Sequence, residues 1–506
     1  MKVFSTNQIR QIDRSTIETE PIHSIDLMER ASNSLCGWIV KNVSSSKKIY
    51  IFAGPGNNGG DGLALARMLV DIGYSLYVFT LDAPSYSVDY QTNLARLNAQ
   101  GIVTPYLIKG SIDFPDIDKN TLVVDALFGS GLSRSLSGVA AVLIEYINEK
   151  SSKTIAIDIP SGLFGEENPS PNNNPVIKAH ITLTLQFPKL SFFFPENNRF
   201  VGDWKVLPIG FSDNVIKTTP TPYFYTDESI VFPILKRRNK FSHKGIFGHS
   251  LIVAGSYGMM GAAVLSSSAC IKSGSGLVTV HVPKVGYKIL QQSLPEVMVD
   301  IDENEYSISN IVALPKYSSI GLGPGIGKSP LMVKCLSKLL KEVKSPLLID
   351  ADGLNILSGN SELMDNIPFM TIITPHPGEF DRLFGRSESG YNRLMVAIKE
   401  SSSRNIIIVL KGAYTQVVCP NGNVFFNSTG NPGMAAAGSG DVLTGIITSL
   451  LGQGYDPESS AILGVYIHGL SGDLASQNRS EESLSASDII VYLGDAFKLI
   501  LSKKDE

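Results

Sequence analysis

Lys48-Ile49-Tyr50-Ile51-Phe52-Ala53, then Gly54-Pro55-Gly56-Asn57-Asn58-Gly59-Gly60-Asp61-Gly62, then Leu63-Ala64-Leu65-Ala66-Arg67-Met68-Leu69-Val70 is the stretch that decides the fold of the first half. An unbroken apolar run reads as a strand buried on both faces, the glycine-rich segment as a turn, and the last run as a helix. The order recurs downstream, where 75–81, 121–125 and 154–158 read as strands with helical patterns between them. Strands alternating with helices imply βαβ units, right-handed crossovers and a parallel sheet. Upstream, 5–40 reads as helical.

The same grammar resumes in the second half. Residues 250–254, 277–282, 319–321, 346–350, 371–374 and 406–410 read as strands, and 261–273, 461–474 and 487–501 as helices. Residues 417–427 read as a hairpin turning at Asn421-Gly422. Between the halves, Thr218-Thr219-Pro220-Thr221-Pro222 and the basic run Lys236-Arg237-Arg238-Asn239-Lys240 change the texture. The expected organisation is an α/β chain with a domain over 1–215, a linker over 216–236 and a domain over 237–506.

Composition removes several function classes. The 506 residues carry 43 Lys+Arg against 47 Asp+Glu, a formal net charge of −4, so no broad field draws the chain to nucleic acid or an anionic membrane. Cys36, Cys270, Cys335 and Cys419 lie far apart without C-x-x-C spacing, which disfavours a disulfide framework or a thiolate zinc site. Buried hydrophobic cysteines are the simpler expectation. The opening MKVFSTNQIRQIDRS lacks the apolar core of a signal peptide, and no apolar run approaches the roughly 20 residues of a membrane helix. A cytoplasmic protein is expected.

Ligands of open parallel sheets bind beyond the carboxyl ends of the strands, so those ends carry the functional reading. Gly54–Gly59 matches G-x-G-x-x-G between a strand and a helix, where free N–H groups favour a phosphate. The match to a hydride-enzyme fingerprint is loose, because Asp82 lies further on than the usual ~20 residues. A glycine turn with Asp61 as helix cap is the bland alternative. Two neighbours shift the balance: Asp125 leads into Phe128-Gly129-Ser130-Gly131-Leu132, and Asp158 into Ile159-Pro160-Ser161-Gly162. Two strand-end aspartates followed by glycine loops on one rim suggest a pocket. Asn58, Asp125 and Ser161 also supply hard oxygen donors suited to an alkali cation.

In the second half the strongest segment is Asn431-Pro432-Gly433-Met434-Ala435-Ala436-Ala437-Gly438-Ser439-Gly440-Asp441 ahead of a helix. Small residues let backbone wrap an anion there, and Asp441 is placed to act as a base or an N-cap. Gly255-Ser256-Tyr257-Gly258, Gly321-Leu322-Gly323-Pro324-Gly325 and Thr374-Pro375-His376-Pro377-Gly378-Glu379 are further strand-end loops, and Lys411-Gly412-Ala413-Tyr414-Thr415 adds a cation suited to phosphate. A Walker motif fails, since Leu322 stands at its first glycine before Gly327-Lys328-Ser329. Asp350 and Asp352 read equally as caps, as magnesium-linked or as substrate-facing.

Over nearly the whole chain these residues resemble a known family. Leu27-Met28-Glu29-Arg30-Ala31, Asn57–Gly62, the Asp125 loop and Asp158–Gly162 look like an NAD(P)H-hydrate epimerase domain. Lys244-Gly245 with Gly248, Gly321–Gly325, Ile349–Asn355, Thr374–Glu379 and Gly438–Asp441 look like an ADP-dependent NAD(P)H-hydrate dehydratase domain. Both sets in this order are similar to the bifunctional nicotinamide nucleotide repair family. The resemblance implies two three-layer αβα domains, Rossmann-like over 1–215 and ribokinase-like over 237–506.

It also implies an isomerase and lyase acting in metabolite repair. NADH hydrate and NADPH hydrate would bind Asn57, Asn58, Gly59, Gly60 and Asp61 together with Gly129, Ser130, Gly131, Leu132, Ser133, Arg134 and Ser135. Asp158 would be catalytic at the reacting ring, and Asn58, Asp125 and Ser161 would coordinate potassium. In the second domain Gly261, Ala262, Gly323, His376 and Asp441 would face the hydrate, with Asp441 as the base. Lys411, Gly412, Ala413, Tyr414 and Thr415 with Gly438, Ser439 and Gly440 would hold ADP, or ATP, with Mg2+. Partners are then these small molecules and further copies of the chain in a homo-oligomer, with no nucleic acid and no membrane. The sequence departs from the family at Ala437, where many members have glycine, and at the bulky Tyr414; a methyl at 437 would crowd the loop if that position needs positive φ. A ribokinase-like small-molecule kinase is the enzyme rival, and a non-catalytic N-terminal binding module the non-enzymatic one.

Overall fold

The computed structural model describes residues 1–169, 174–311 and 315–504. The chain packs as two compact units, one of Lys2–Thr221 with Ser389–Tyr391, the other of Pro222–Glu388 with the chain from Asn392 onward. The break falls within the stretch expected as a linker, and that stretch is itself folded. Asp213–Thr218 and Glu228–Ile234 are helical, and Tyr223–Thr226 is a strand pairing in parallel with Val424–Asn427. Pro220 and Pro222 precede that strand, where a missing N–H costs no ladder bond, and its aromatic residues favour the extended state. Phe224 stacks on Phe425 at 5.0 Å.

The first unit is a seven-stranded sheet, every neighbouring pair parallel. From one edge its strands are Tyr106–Ile108, Leu76–Leu81, Ile49–Ala53, Leu122–Ala126, Thr154–Ile157, Ile181–Leu185 and Asp203–Leu207. Alternation along the central strand sorts side chains onto two faces. Ile49, Ile51 and Ala53 pack with Leu35, Leu69 and Leu97 of the helices Ser24–Asn42, Asn57–Asp71 and Val88–Gln100. Tyr50 and Phe52 pack with Leu143, Ile144 and Ile147 of Gly138–Lys150. This is a three-layer αβα sandwich. The run Phe192-Phe193-Phe194 is buried, and Phe192 packs with Ile159 and Leu163.

The second unit has a parallel core ordered Met298–Ile301, Leu277–Val282, His249–Val253, Ser319–Leu322, Leu347–Ile349, Ile372–Ile373 and Ile407–Leu410. Gln416–Val418 and Val424–Asn427 continue it antiparallel, forming the hairpin expected at Asn421-Gly422. Helices Met260–Lys272 and Ser439–Gly452 pack against this sheet, the second with eleven consecutive buried residues from Val442 to Gly452. Numbered by their place in the chain, the seven parallel strands of each unit follow the same order, 3-2-1-4-5-6-7. The direction of winding reverses between the first and fourth strands in both, and such a reversal opens a crevice at the strand ends. The four cysteines are free thiols, three of them buried.

Candidate active sites

In the first unit the reversal lies between Ile49–Ala53 and Leu122–Ala126, and the loops after these strands wall a cavity of about 480 Å³. The glycine-rich segment turns straight into the Asn57–Asp71 helix, so Asn57, Asn58 and Asp61 occupy its first turns. Gly59 permits the tight approach: a Cβ there would sit 1.8 Å from the Gly54 carbonyl oxygen. Asn57, Asn58, Asp61, Gly129, Ser130, Gly131, Leu132 and Asp158 all line the cavity, whereas Gly59 and Gly60 are buried backbone behind it. Ser133, Arg134 and Ser135 are exposed beyond the lining, with Ser135 donating to Asn174.

Four charged residues around this cavity have no strand-end signal in the sequence. Arg10 and Asp13 come from the Thr6–Thr19 helix, and Asp89 from Val88–Gln100. Arg10 brings its guanidinium against Gly131, beside the loop expected to hold the dinucleotide. Lys189 is the fourth: it is 1% exposed, and its ammonium donates to Asp158 Oδ1 at 2.6 Å. Asp158 itself holds a left-handed backbone, φ 65°, a conformation Asp tolerates better than most residues. Burial pushes the Asp61 carboxyl well above its ordinary range, helped by the negative charges of Asp158, Asp13 and Asp89.

Asn58, Asp125 and Ser161 converge beside the same loop. Ser161 donates to Asp125 from its hydroxyl at 2.6 Å and from its backbone at 2.8 Å, and Phe128 N–H donates to Ser161 Oγ at 2.7 Å. Asn58 lies against Gly129, and its side-chain nitrogen is buried without a partner. Burial pushes Asp125 up to about 6 although Ser161 and Leu127 donate to it. A carboxylate beside a hydroxyl and an amide oxygen fits an alkali cation better than a transition metal.

In the second unit Asp350, Lys411, Gly440 and Asp441 meet. Asp350 starts the Ala351–Gly359 helix but does not cap it; its carboxylate accepts from Lys411 Nζ at 2.9 Å and Thr444 Oγ1 at 2.7 Å. Burial alone would lower the Lys411 ammonium, yet the Asp350 and Glu379 carboxylates outweigh it and raise it. Asp441, in the first turn of Ser439–Gly452, is pushed up to about 6 by burial and by Asp350, against the pull of Lys411. Asp352 accepts from Gly327 N–H and so holds the loop after Ser319–Leu322. That loop passes so close that a Cβ on Gly323, φ 135°, would fall 1.9 Å from the Asp350 carbonyl oxygen.

The nucleotide segments are built locally. Gly438 takes φ 88° and ends the loop at the helix start; Ala437 is absent from the left-handed positions, so its methyl strains nothing. Gly412 and Thr415 close their turn on each other, leaving Gly412 and Ala413 exposed and Tyr414 half-buried. Gly261 is exposed at the start of Met260–Lys272, and Ala262 packs against the Gly325 turn. His376 caps Pro377–Phe384, its Nδ1 accepting from Gly378 and Glu379 N–H, which leaves Nε2, 3.5 Å from Glu379 Oε1, to carry the proton. His468, in mid-helix and unremarked in the sequence, meets the Ser439 carbonyl at 3.0 Å from beneath; burial lowers it to about 4, so it stays neutral.

Two family models match this chain: one described as NAD(P)H-hydrate dehydratase over residues 250–493, and one described as YjeF-related protein N-terminus over residues 24–191. The chain is 34% identical to the bifunctional NAD(P)H-hydrate repair enzyme Nnr of Moorella thermoacetica, over 97% of this chain and 96% of that protein. It is 30% identical to the Escherichia coli protein of the same name, over 97% and 93%. Among solved structures, the ADP/ATP-dependent NAD(P)H-hydrate dehydratase of Bacillus subtilis, crystallised with ATP/Mg2+, is 28% identical, covers 55% of this chain and 98% of its own, and has a TM-score of 0.48.

Proposed function

Since the chain belongs to the family of bifunctional NAD(P)H-hydrate repair enzymes, we propose a division of that repair between its two units. The protein is an NAD(P)H-hydrate epimerase and dehydratase, and a nucleotide drives the dehydration. The kinase rival does not fit a chain that aligns end to end with such repair enzymes.

The first cavity takes the hydrated dinucleotide, its phosphates toward the N–H groups of the Asn57 helix start and Arg10, and its ring toward Asp158. Interconversion of the R and S hydrates belongs there. Asn58, Asp125 and Ser161 would hold a potassium ion, which would supply positive charge beside the Phe128–Leu132 loop.

The second site dehydrates the S form. Lys411, held by Asp350, and the N–H groups of Gly438, Ser439 and Gly440 receive the nucleotide phosphates. Asp441 takes the proton of the hydrate hydroxyl as that oxygen attacks the terminal phosphorus and the phosphoanhydride bond breaks, releasing AMP from ADP. The phosphate so formed, a far better leaving group than hydroxide, departs as the ring-nitrogen lone pair forms C=N, and loss of a proton from the adjacent ring carbon restores the reduced ring. His376 Nε2 and the Gly323 loop face the hydrate. ADP is our reading of the co-substrate, with ATP the alternative. No group of three His, Cys, Asp or Glu side chains among the described residues is placed to hold a metal ion, and Mg2+ would arrive on the nucleotide phosphates. No helix among them is long and apolar enough to cross a membrane, and we place the enzyme in the cytoplasm.

The observation that carries this reading is Asp441 beside an anchored Lys411, in a chain that also has the Asp158 cavity. Purified protein mixed with racemic NADPH hydrate and ADP or ATP should restore all the near-ultraviolet absorbance of the reduced ring. Recovery of the S fraction alone would deny the first unit its role, and none with either nucleotide would defeat the assignment.

A further inference from the structure

We propose that the epimerase site works with two carboxyl groups in unequal states, Asp61 as proton donor and Asp158 as proton acceptor, and that Lys189 is the positioning residue that keeps them unequal. The inference rests on the first unit being the epimerase. Both carboxyls line the same cavity, from different elements: Asp61 from the Asn57–Asp71 helix, Asp158 from the turn after Thr154–Ile157. Lys189 spends its three hydrogens on Asp158 Oδ1 at 2.6 Å, Thr184 Oγ1 at 3.0 Å and the Phe187 carbonyl at 3.1 Å, so it is fixed and fully committed. Leu185 N–H also donates to Asp158 Oδ1, which leaves Oδ2 as the oxygen free for chemistry.

Asp61 has the opposite surroundings. It is 7% exposed, no donor among the described residues hydrogen-bonds its carboxyl, and the charged groups facing it, Asp158, Asp13 and Asp89, are all acidic. Asp89 is held by Ser24 Oγ at 2.6 Å, and Arg10, the cation among the lining residues, lies toward Gly131. Two carboxyls whose environments diverge in this way are a pattern for assigning acid and base.

The chemistry balances. The bond between the ring carbon and its hydroxyl breaks as the ring-nitrogen lone pair forms C=N; the Asp61 proton joins the departing oxygen, giving water and an Asp61 carboxylate. Water then adds to the other face, its lone pair forming the new C–O bond while the C=N pair returns to nitrogen and its proton passes to Asp158. The reverse epimerisation runs with the roles exchanged, and for net flux the proton returns from Asp158 to Asp61 through water in the cavity.

The test uses full-length protein and the separated R hydrate of NADPH, with R-to-S conversion followed by chromatography and S-hydrate dehydration followed as the control for folding. Asp61→Asn should lower epimerase kcat by roughly 100-fold or more with KM within about 3-fold. Lys189→Met should lower epimerase kcat with KM within about 3-fold, since Asp158 loses the ammonium that fixes its Oδ1, and Lys189→Arg should recover part of the rate. Dehydration should be unchanged in all three. An Asp61→Asn enzyme with wild-type kcat, or with only a raised KM, overturns the proposal, as does a wild-type kcat in Lys189→Met; if the latter does not fold, Asp61→Asn decides. Absence of interconversion in the wild type would instead defeat the epimerase reading itself.

Discussion

Asp125 and Asp441 are both carboxyls that burial pushes up to about 6, and each serves its proposed role only when ionised. Asp125 is fully buried, and its folded-state value lies above the ordinary 3.8, so it favours the folded state when protonated. That contribution is present at low pH and is lost as pH rises through about 6, a difference of roughly 3 kcal/mol at most. A bound cation offsets the loss. We therefore expect KCl, against tetramethylammonium chloride at equal strength, to raise Tm more at pH 8 than at pH 5. Ser161→Ala should remove that difference, and no potassium effect at pH 8 would count against the cation site. Asp441 must be ionised to accept a proton, so the dehydration rate should climb with pH across about 6. Asp441→Asn should cost roughly 100-fold or more in dehydration while R and S hydrates still interconvert. Loss of both activities would contradict independent sites.

At the scale of elements, strand-end loops were legible because buried parallel strands announce themselves as apolar runs and glycine loops follow them. Helix-borne contributions were not. Arg10, Asp13 and Asp89 sit on amphipathic surfaces where a charge ordinarily means solvent, and only packing turns them toward the cavity. Lys189 and His468 look like ordinary loop and helix residues until the fold buries them against Asp158 and Ser439. Short edge strands such as Tyr106–Ile108 and Met298–Ile301 escaped because they are only three and four residues long and largely exposed. The Gly323 turn offers the sharpest element-level test. Gly323→Ala combines a disfavoured φ with a clash on the Asp350 backbone, and should destabilise the protein by roughly 1–3 kcal/mol. Because Asp350 anchors Lys411, dehydration should fall with it while epimerisation persists, as thermal melts and the two assays would register.

For the molecule as a whole, a net charge of −4 coexists with sites for anionic dinucleotides and nucleotides. Attraction is then local, from helix-start N–H groups and a few held cations, not from a long-range field. The KM for NADPH hydrate should accordingly change less than about 3-fold between roughly 50 and 300 mM salt; a steep dependence would point to steering by bulk charge. The α/β class and the motif order were readable at this scale, whereas the common 3-2-1-4-5-6-7 strand order was not, since pairing across long sequence separations leaves no local mark. That separation has a consequence for biosynthesis. The first cavity is lined by Ile9 and Arg10 at one end of its unit and by Ile209 and Phe211 at the other. A nascent chain therefore has no complete epimerase pocket until nearly the entire unit has left the ribosome, and the pocket arises in one late, non-local step instead of growing with the chain.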